Sequence, residues 1–306
     1  MGAVRVAMTG ASGLIGSALT QSLRGDGIDV LRLVRHPPAD ASELSWDPAA
    51  PDAGLRPPAL AGMDAVVHLS GASVAAGRWT PARKQVLRDS RIGSTAALVR
   101  ALLAGDSPPP VLLVASAIGW YGDTGDREAD ESAPNGTGFL AELVRDWEAA
   151  AKPAAEAGIR VVSLRTGIVL ARRGGMLGQL LLPFRLGLGF RVGAGAQYLS
   201  WISLADHIRA CRFLLADAAL SGPVNLTAPA PVTNAEFAAA LAGQLHRPAP
   251  LRLPAGVLRA ALGELAGELL TSCRVVPARL RGVGFTFAQP QIAAGVAAAL
   301  ADRAGA

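Results

Sequence analysis

Lysine is nearly missing from this sequence: Lys84 and Lys152 are the only two. The formal net charge of +5 therefore comes from arginine, and the arginines are scattered rather than gathered on one helix. Such a spread reads as a solvated surface, and no zinc-finger spacing or RNP-like aromatic pattern points to nucleic acid. Cysteine is equally scarce. Cys211 and Cys273 make no CxxC or other metal or redox spacing, which excludes a disulfide framework and leaves two buried thiols. No carboxylate or histidine cluster has metal-ligand spacing. No apolar run is long enough to span a bilayer, and the N-terminus lacks the charged and apolar regions of a signal peptide. The Met1–Gly2 start lacks the Ser or Thr of a myristoylation signal. A soluble, cytoplasmic protein with neither membrane nor nucleic-acid partners is expected.

Hydrophobic residues make up 51% of the chain, enough for a sizeable core, and no repeat period runs through it. The first half alternates short apolar runs with helical patterns, the mark of βαβ units and a parallel sheet. "VRVAMT", "IDVLRLV", "DAVVHLS", "VLLVAS" and "IRVVSLRTGIVL" read as strands, with a short strand at Leu44–Trp46. Helices are expected over 14–24, 81–103 and 137–157. After Arg172 the rhythm becomes Gly-rich and then mostly helical. Thr233 and Glu236 have capping-box spacing, and "GVGFTFA" reads as an extended piece. The fold class is α/β, a Rossmann-type doubly wound parallel sheet (1–170) with a smaller, mostly helical region (171–306). The boundary falls near 165–170, and the chain is free to cross it more than once.

"GASGLIG" sets Gly10, Gly13 and Gly16 in a GxxGxxG pattern directly after a strand and before a helix. Gly10 permits the tight turn, Gly13 lets a pyrophosphate approach, and Gly16 allows close helix–sheet packing. The helix N-terminus offers free N–H groups to phosphate. At the end of the second strand an acidic residue would bind the 2′-hydroxyl of NAD. Arg35 stands there instead, and its charged fork suits the 2′-phosphate of NADP.

These motifs, with "DAVVHLSGA", "GWYGDTGD", "LRTGIVL", "LLPFRLGLG", "SWISLAD" and "RVVPARL", resemble the extended short-chain dehydrogenase/reductase superfamily. The likeness is greatest to its NAD(P)-binding epimerase-family proteins that end in a small domain of unknown function. It covers essentially the whole chain. The resemblance implies an NADP-dependent oxidoreductase or epimerase acting on a small molecule held between the sheet and the region after Arg172. It carries the cofactor fingerprint onto Gly10, Ser12, Gly13, Leu14, Ile15 and Gly16. It carries the adenosine-phosphate contact onto Val34 and Arg35, and edge contacts onto Leu69, Ser70 and Gly71. Arg91 is a further cofactor neighbour, and so is Arg165 unless it is a structural ion-pair residue. Extended members often pair through two helices, so the resemblance also allows a homodimer.

The chain departs from the family in its acid–base chemistry. The superfamily uses a Tyr with a Lys four residues later, because a phenol of pKa about 10 needs a cation beside it to work near neutrality. Tyr121 is followed at that distance by Gly125, and Tyr198 by Ile202. Phe139 and Leu143, or neighbouring apolar residues, occupy the helix positions where the pair belongs. The usual catalytic hydroxyl falls on Ala117, with Ser116 one residue earlier. Ser116 and Tyr121 are the remaining catalytic candidates. Asp206 reads as a cap or orienting residue before His207, with Ser203 in place of the family's histidine. His68 reads as a core histidine, Trp147 and Glu148 as anchors of their helix, and Glu142 as a speculative acid or base. A non-catalytic NADP(H)-binding sensor or partner-binding module is the alternative function.

Overall fold

A computed structural model describes residues 4–50, 53–55 and 59–302. The Met1–Gly2 start and parts of the proline-rich loop after Ser45 lie outside the described residues. Strand β1 (Arg5–Thr9) leads into α1 (Leu14–Gly25), then β2 (Asp29–Val34), β3 (Glu43–Ser45) and β4 (Ala65–His68). The helix expected over 81–103 spans that range but contains a defect. Helices α2 (Pro81–Arg88) and α3 (Ser94–Leu103) are joined by a π-helical turn at Asp89–Gly93. After β5 (Val111–Ala117), the helix expected over 137–157 divides into α4 (Phe139–Ala150) and α5 (Lys152–Glu156). Pro153, which has no N–H to donate to the preceding turn, begins the second piece.

Next come β6 (Arg160–Thr166), β7 (Ile168–Leu170), α6 (Gly175–Arg185), β8 (Phe190–Val192), β9 (Tyr198–Leu199) and β10 (Trp201–Ser203). The chain continues through α7 (Leu204–Ala216), β11 (Gly222–Leu226), β12 (Val232–Thr233), α8 (Asn234–Leu245) and β13 (Leu251–Leu253). It ends with α9 (Ala255–Leu262), α10 (Leu265–Leu270), α11 (Ala278–Gly282) and α12 (Ile292–Ala301). Thr233 and Glu236 form the expected capping box of α8. "GVGFTFA", read as an extended piece, pairs with no strand: it leaves α11 through a turn, and Phe285–Phe287 belong to no helix or ladder. Phe285 instead meets Phe213 of α7 and Phe287 edge-on, at 5.6 and 4.9 Å between ring centroids. Its aromatics are anchored by side-chain packing, so no ladder is needed.

Seven parallel strands form the main sheet in the order β11-β6-β5-β4-β1-β2-β3. Alternate residues of each strand face opposite layers. Val6, Met8, Val67, Leu113 and Leu164 pack with Leu19 and Leu23 of α1 and Leu214 of α7. Ala7, Val66, Leu112 and Val161 pack with Leu98 and Leu102 of α3 on the other side. Sheets covered on both faces are apolar in near-continuous runs, which is how these strands read in the sequence. The chain leaves this layer after β6 and returns to it with α7 and β11, so residues beyond 171 complete the sheet. The rest of that region has its own core of Phe184, Trp201, Phe237, Leu241 and Val296. Among the described residues no helix is long and apolar enough to cross a membrane.

Candidate functional site

The strand order reverses between β1 and β4, and ligands of open α/β sheets bind at such a switch point, beyond the carboxyl ends of the strands. Gly10 leaves β1 with φ +68°, and a Cβ there would lie 2.7 Å from the backbone carbon of Leu69. Gly10 thus lets the exits of β1 and β4 touch. Gly13 is the N-cap of α1, which has no side-chain cap and no acidic residue in its first turn, so its end is left open to an anion. A Cβ on Gly16 would lie 2.1 Å from Gly10 O and 2.9 Å from Ala11 Cα. The structure therefore corrects the role expected of Gly16: it makes room for the loop's own backbone rather than for the sheet.

A cavity of about 370 Å³ opens here. Gly10, Gly13, Leu14, Ile15, Gly16, Leu69 and Ser116 line it, which brings together seven of the residues singled out from the sequence. Thr166, Ile168, Val169, Gly175 and Met176 close the far side. The glycine loop, the open helix end and the cavity over the switch point fit a dinucleotide, whose pyrophosphate the α1 N-terminus would hold. Ser12 is exposed on the loop, and Ser70 and Gly71 continue the chain beyond Leu69 without lining the cavity. Val34 ends β2, its carbonyl accepting from Trp46 N at 2.9 Å. Arg35 is exposed just beyond, and its guanidinium has no hydrogen bond or ion pair to any described residue. Asp40, the first carboxylate after it, is held low in pKa by the Ser42 hydroxyl and backbone.

Arg91 sits on the π-helical turn, against Gly71. It donates to Ala72 O at 2.9 Å and stacks 5.2 Å from the Trp147 ring. Burial, then the charge of Arg83, lowers its pKa to about 10. Arg165 is buried, with 2% of its surface exposed. Its Nε and Nη2 donate to Glu148 at 2.8 and 2.9 Å, its Nη1 donates to the Tyr121 hydroxyl at 3.0 Å, and Trp120 stacks at 3.9 Å. Each nitrogen makes one bond within the protein, an arrangement that fits the ion-pair alternative at Arg165. Tyr121 lies outside the cavity and donates to Asn225 Oδ1 at 2.7 Å. Burial raises its pKa to about 12 against the opposing pull of Arg165. Ser116 lines the cavity and donates to Glu148 Oε1 at 2.6 Å. The two catalytic candidates thus belong to one network, joined through Glu148 and Arg165, but only the serine reaches the cavity.

Glu148 is the residue whose place the sequence reading missed. A signal existed: an arginine buried in β6 requires a carboxylate partner, and α4 carries Glu142, Asp146 and Glu148. Glu142 is exposed and pairs with Arg88 at 3.5 Å, away from the cavity. Trp147 donates to Thr95 Oγ1 and anchors its helix. The position expected for the family's lysine, Leu143, is buried with Trp79, Leu87 and Leu265.

His68 meets Thr9 Oγ1 at 2.7 Å and Ser94 Oγ at 3.3 Å, a satisfied core histidine. His207 meets Thr166 Oγ1 at 3.0 Å. Burial lowers both to a pKa of about 4. Asp206 accepts from the backbones of Ala288 and Gln289, each at 2.8 Å, and so straps the C-terminal segment to α7. Burial pushes both cysteine thiols up to about 12. Among the described residues no group of three or more His, Cys, Asp or Glu could hold a metal.

Comparison with known proteins matches residues 6–226 to the NAD dependent epimerase/dehydratase family, and residues 253–299 to a domain of unknown function. Epimerase family protein Mb2239 of Mycobacterium bovis is 52% identical over 92% of this chain and 93% of its own length. The crystal structure of human epimerase family protein SDR39U1 (isoform 2) with NADPH has a TM-score of 0.90 at 33% identity. It covers 98% of this chain and 100% of that one. A UDP-N-acetylglucosamine 4-epimerase from Bacillus cereus shares the fold, with a TM-score of 0.77 at 17% identity over 97% of this chain and 98% of that chain.

Proposed function

The chain belongs to the NAD dependent epimerase/dehydratase family, and from that premise we propose that it is an NADP(H)-dependent oxidoreductase of the short-chain dehydrogenase/reductase type. Its substrate would be a small molecule bound beside Ser116. The observation that carries the cofactor assignment is the glycine cradle at the switch point together with the uncommitted Arg35. Gly10, Gly13, Leu14, Ile15 and Gly16 hold the pyrophosphate side, and Val34 and Arg35 hold the 2′-phosphate. Leu69, Ser70 and Gly71 form the edge beneath the cofactor. Arg91 and Arg165 shape this edge and the serine through their own contacts. NADPH supplies a hydride when bound; the residues position, exclude water and move the proton. The resemblance of the whole chain to a human relative crystallised with NADPH supports the choice of phosphate over hydroxyl.

The test is a titration of the full chain with NADPH and NADH, followed by nicotinamide fluorescence. Tight binding of NADPH and weak binding of NADH is expected; equal affinities would remove Arg35 from the assignment, and no binding would remove the cofactor.

A second reading rests on Tyr121. Its buried hydroxyl, its raised pKa and the apolar residue in place of the lysine support a protein that holds NADP(H) without turnover and reports its presence to a partner. NADPH binding with no hydride transfer to any carbonyl or sugar-nucleotide compound would favour it.

A further inference from the structure

Ser116 has one hydroxyl proton, and it points away from the cavity. The bond to Glu148 Oε1, at 2.6 Å, has the short length of a hydroxyl donating to a carboxylate. Arg165 grips both oxygens of that carboxylate and holds it as an acceptor. The lone pairs of Ser116 are then what it offers to a ligand, so in this site the serine accepts a hydrogen bond rather than donating one. No charged side chain lines the cavity. Ala115, Thr166, Ile168, Val169 and Met176 share the lining with Ser116. A ligand group that meets the serine oxygen donates to it through an O–H.

Resting on the NADP(H) reading above, we propose that Ser116 and Glu148 form the proton-accepting pair for oxidation of a secondary alcohol. Ser116 touches the alcohol oxygen, and Glu148 acts through it as a positioning residue and proton acceptor. The alcohol O–H bond breaks and its proton passes to Ser116 Oγ, while the serine's own proton passes to Glu148 Oε1. The C–H bond breaks with its electron pair, which leaves as hydride to the oxidised nicotinamide, and the C=O π bond forms. The alcohol loses two electrons and two hydrogens, and the Glu148 carboxyl later returns its proton to water. Oxidation uses Glu148 as the carboxylate that Arg165 holds, and reduction uses the carboxyl it becomes.

The experiment uses the full chain with NADP⁺ and 1-indanol as the probe alcohol, in wild type, Ser116→Ala, Glu148→Gln and Glu148→Asp. NADPH affinity is measured separately. Ser116→Ala leaves the Glu148–Arg165 pair whole and carries the test if Glu148→Gln does not fold. Wild type is expected to oxidise 1-indanol. Ser116→Ala and Glu148→Gln should lose about 100-fold in kcat, the scale of one proton-transfer contribution, with NADPH affinity nearly unchanged. Glu148→Asp should keep part of the rate. In the cofactor-free protein, the carboxyl ¹³C resonance of Glu148 at one fixed pH should move in Ser116→Ala, because a donor to the carboxylate has been lost. Three results would overturn the proposal while leaving the cofactor site standing: an unchanged rate in Ser116→Ala, an unchanged carboxyl resonance, or NADPH binding with 1-indanol untouched. Absence of NADPH binding would instead overturn the underlying cofactor reading, and this pair with it.

Discussion

Arg35 and Arg165 are the same side chain in opposite circumstances. Arg35 stands exposed just beyond β2 with no partner among the described residues. Arg35→Ala should weaken NADPH by roughly 10–100-fold, the worth of one hydrogen bond to a charged group, and leave NADH unaffected; the ratio of the two dissociation constants measures this. Arg165 is buried and paired with Glu148. Glu148→Ala leaves its charge without a partner and should cost about 3–5 kcal/mol of stability. Adding Arg165→Met should restore part of that loss, and urea unfolding of the two variants checks both. Position along the strand was enough to place Arg35 just beyond β2 from the sequence. Arg165 needed knowledge of which carboxylate on α4 turns toward β6, and helical spacing alone does not choose between Asp146 and Glu148. Tyr121 meets the same limit: a phenol in the loop after β5 was legible, its burial against Asn225 was not.

At the scale of the element, the β1–α1 turn is set by what its glycines exclude. Gly16→Ala drives a Cβ into the carbonyl of Gly10. It should cost at least the ~1–3 kcal/mol of an overpacked core and abolish NADPH binding. Gly13→Ala meets only Gly10 O at 3.3 Å with an ordinary negative φ, so it should fold nearly normally. Thermal unfolding and NADPH titration of the two variants separate these outcomes. The existence of this element was the clearest signal in the sequence, because strand, glycine spacing and helix agree. The π-helical turn that carries Arg91 left no comparable mark. Gly93 at its end is a single glycine inside an otherwise helical pattern, and Arg91 on the turn donates back to the carbonyl of Ala72. "GVGFTFA" was legible as an extended piece, but its packing was not: Phe285 meets Phe213 of α7, a role that alternation in the sequence does not distinguish from pairing.

For the whole molecule, two buried histidines set a pH limit. His68 and His207 have pKa values lowered by burial from 6.5 to about 4. Between those values the unfolded chain binds protons that the folded chain does not, and stability rises with pH wherever that is so. Their contribution is complete above pH 6.5 and is lost as pH falls toward about 4. At about 1.4 kcal/mol per pKa unit, the loss is on the order of 3 kcal/mol for each histidine. Urea unfolding at successive pH values should show this decline, and His207→Gln should flatten its share of it. The sequence rhythm changes near 165–170, yet α7 and β11 from beyond that point pack with the main sheet. Residues 1–170 made alone should remain unfolded by circular dichroism, since α7 and β11 would be missing from the sheet.

That late return of β11 has a consequence for how the protein is made. On the ribosome β6 is complete well before β11 emerges, and in between its outer edge carries unpaired N–H and C=O groups. An unfinished parallel edge is a template for pairing with another nascent chain. The strand that covers it also carries Asn225, the partner of Tyr121. Closing that edge and locking the network behind the cavity are therefore the same event, so a chain whose translation stops before Leu226 would be both adhesive and without a finished site.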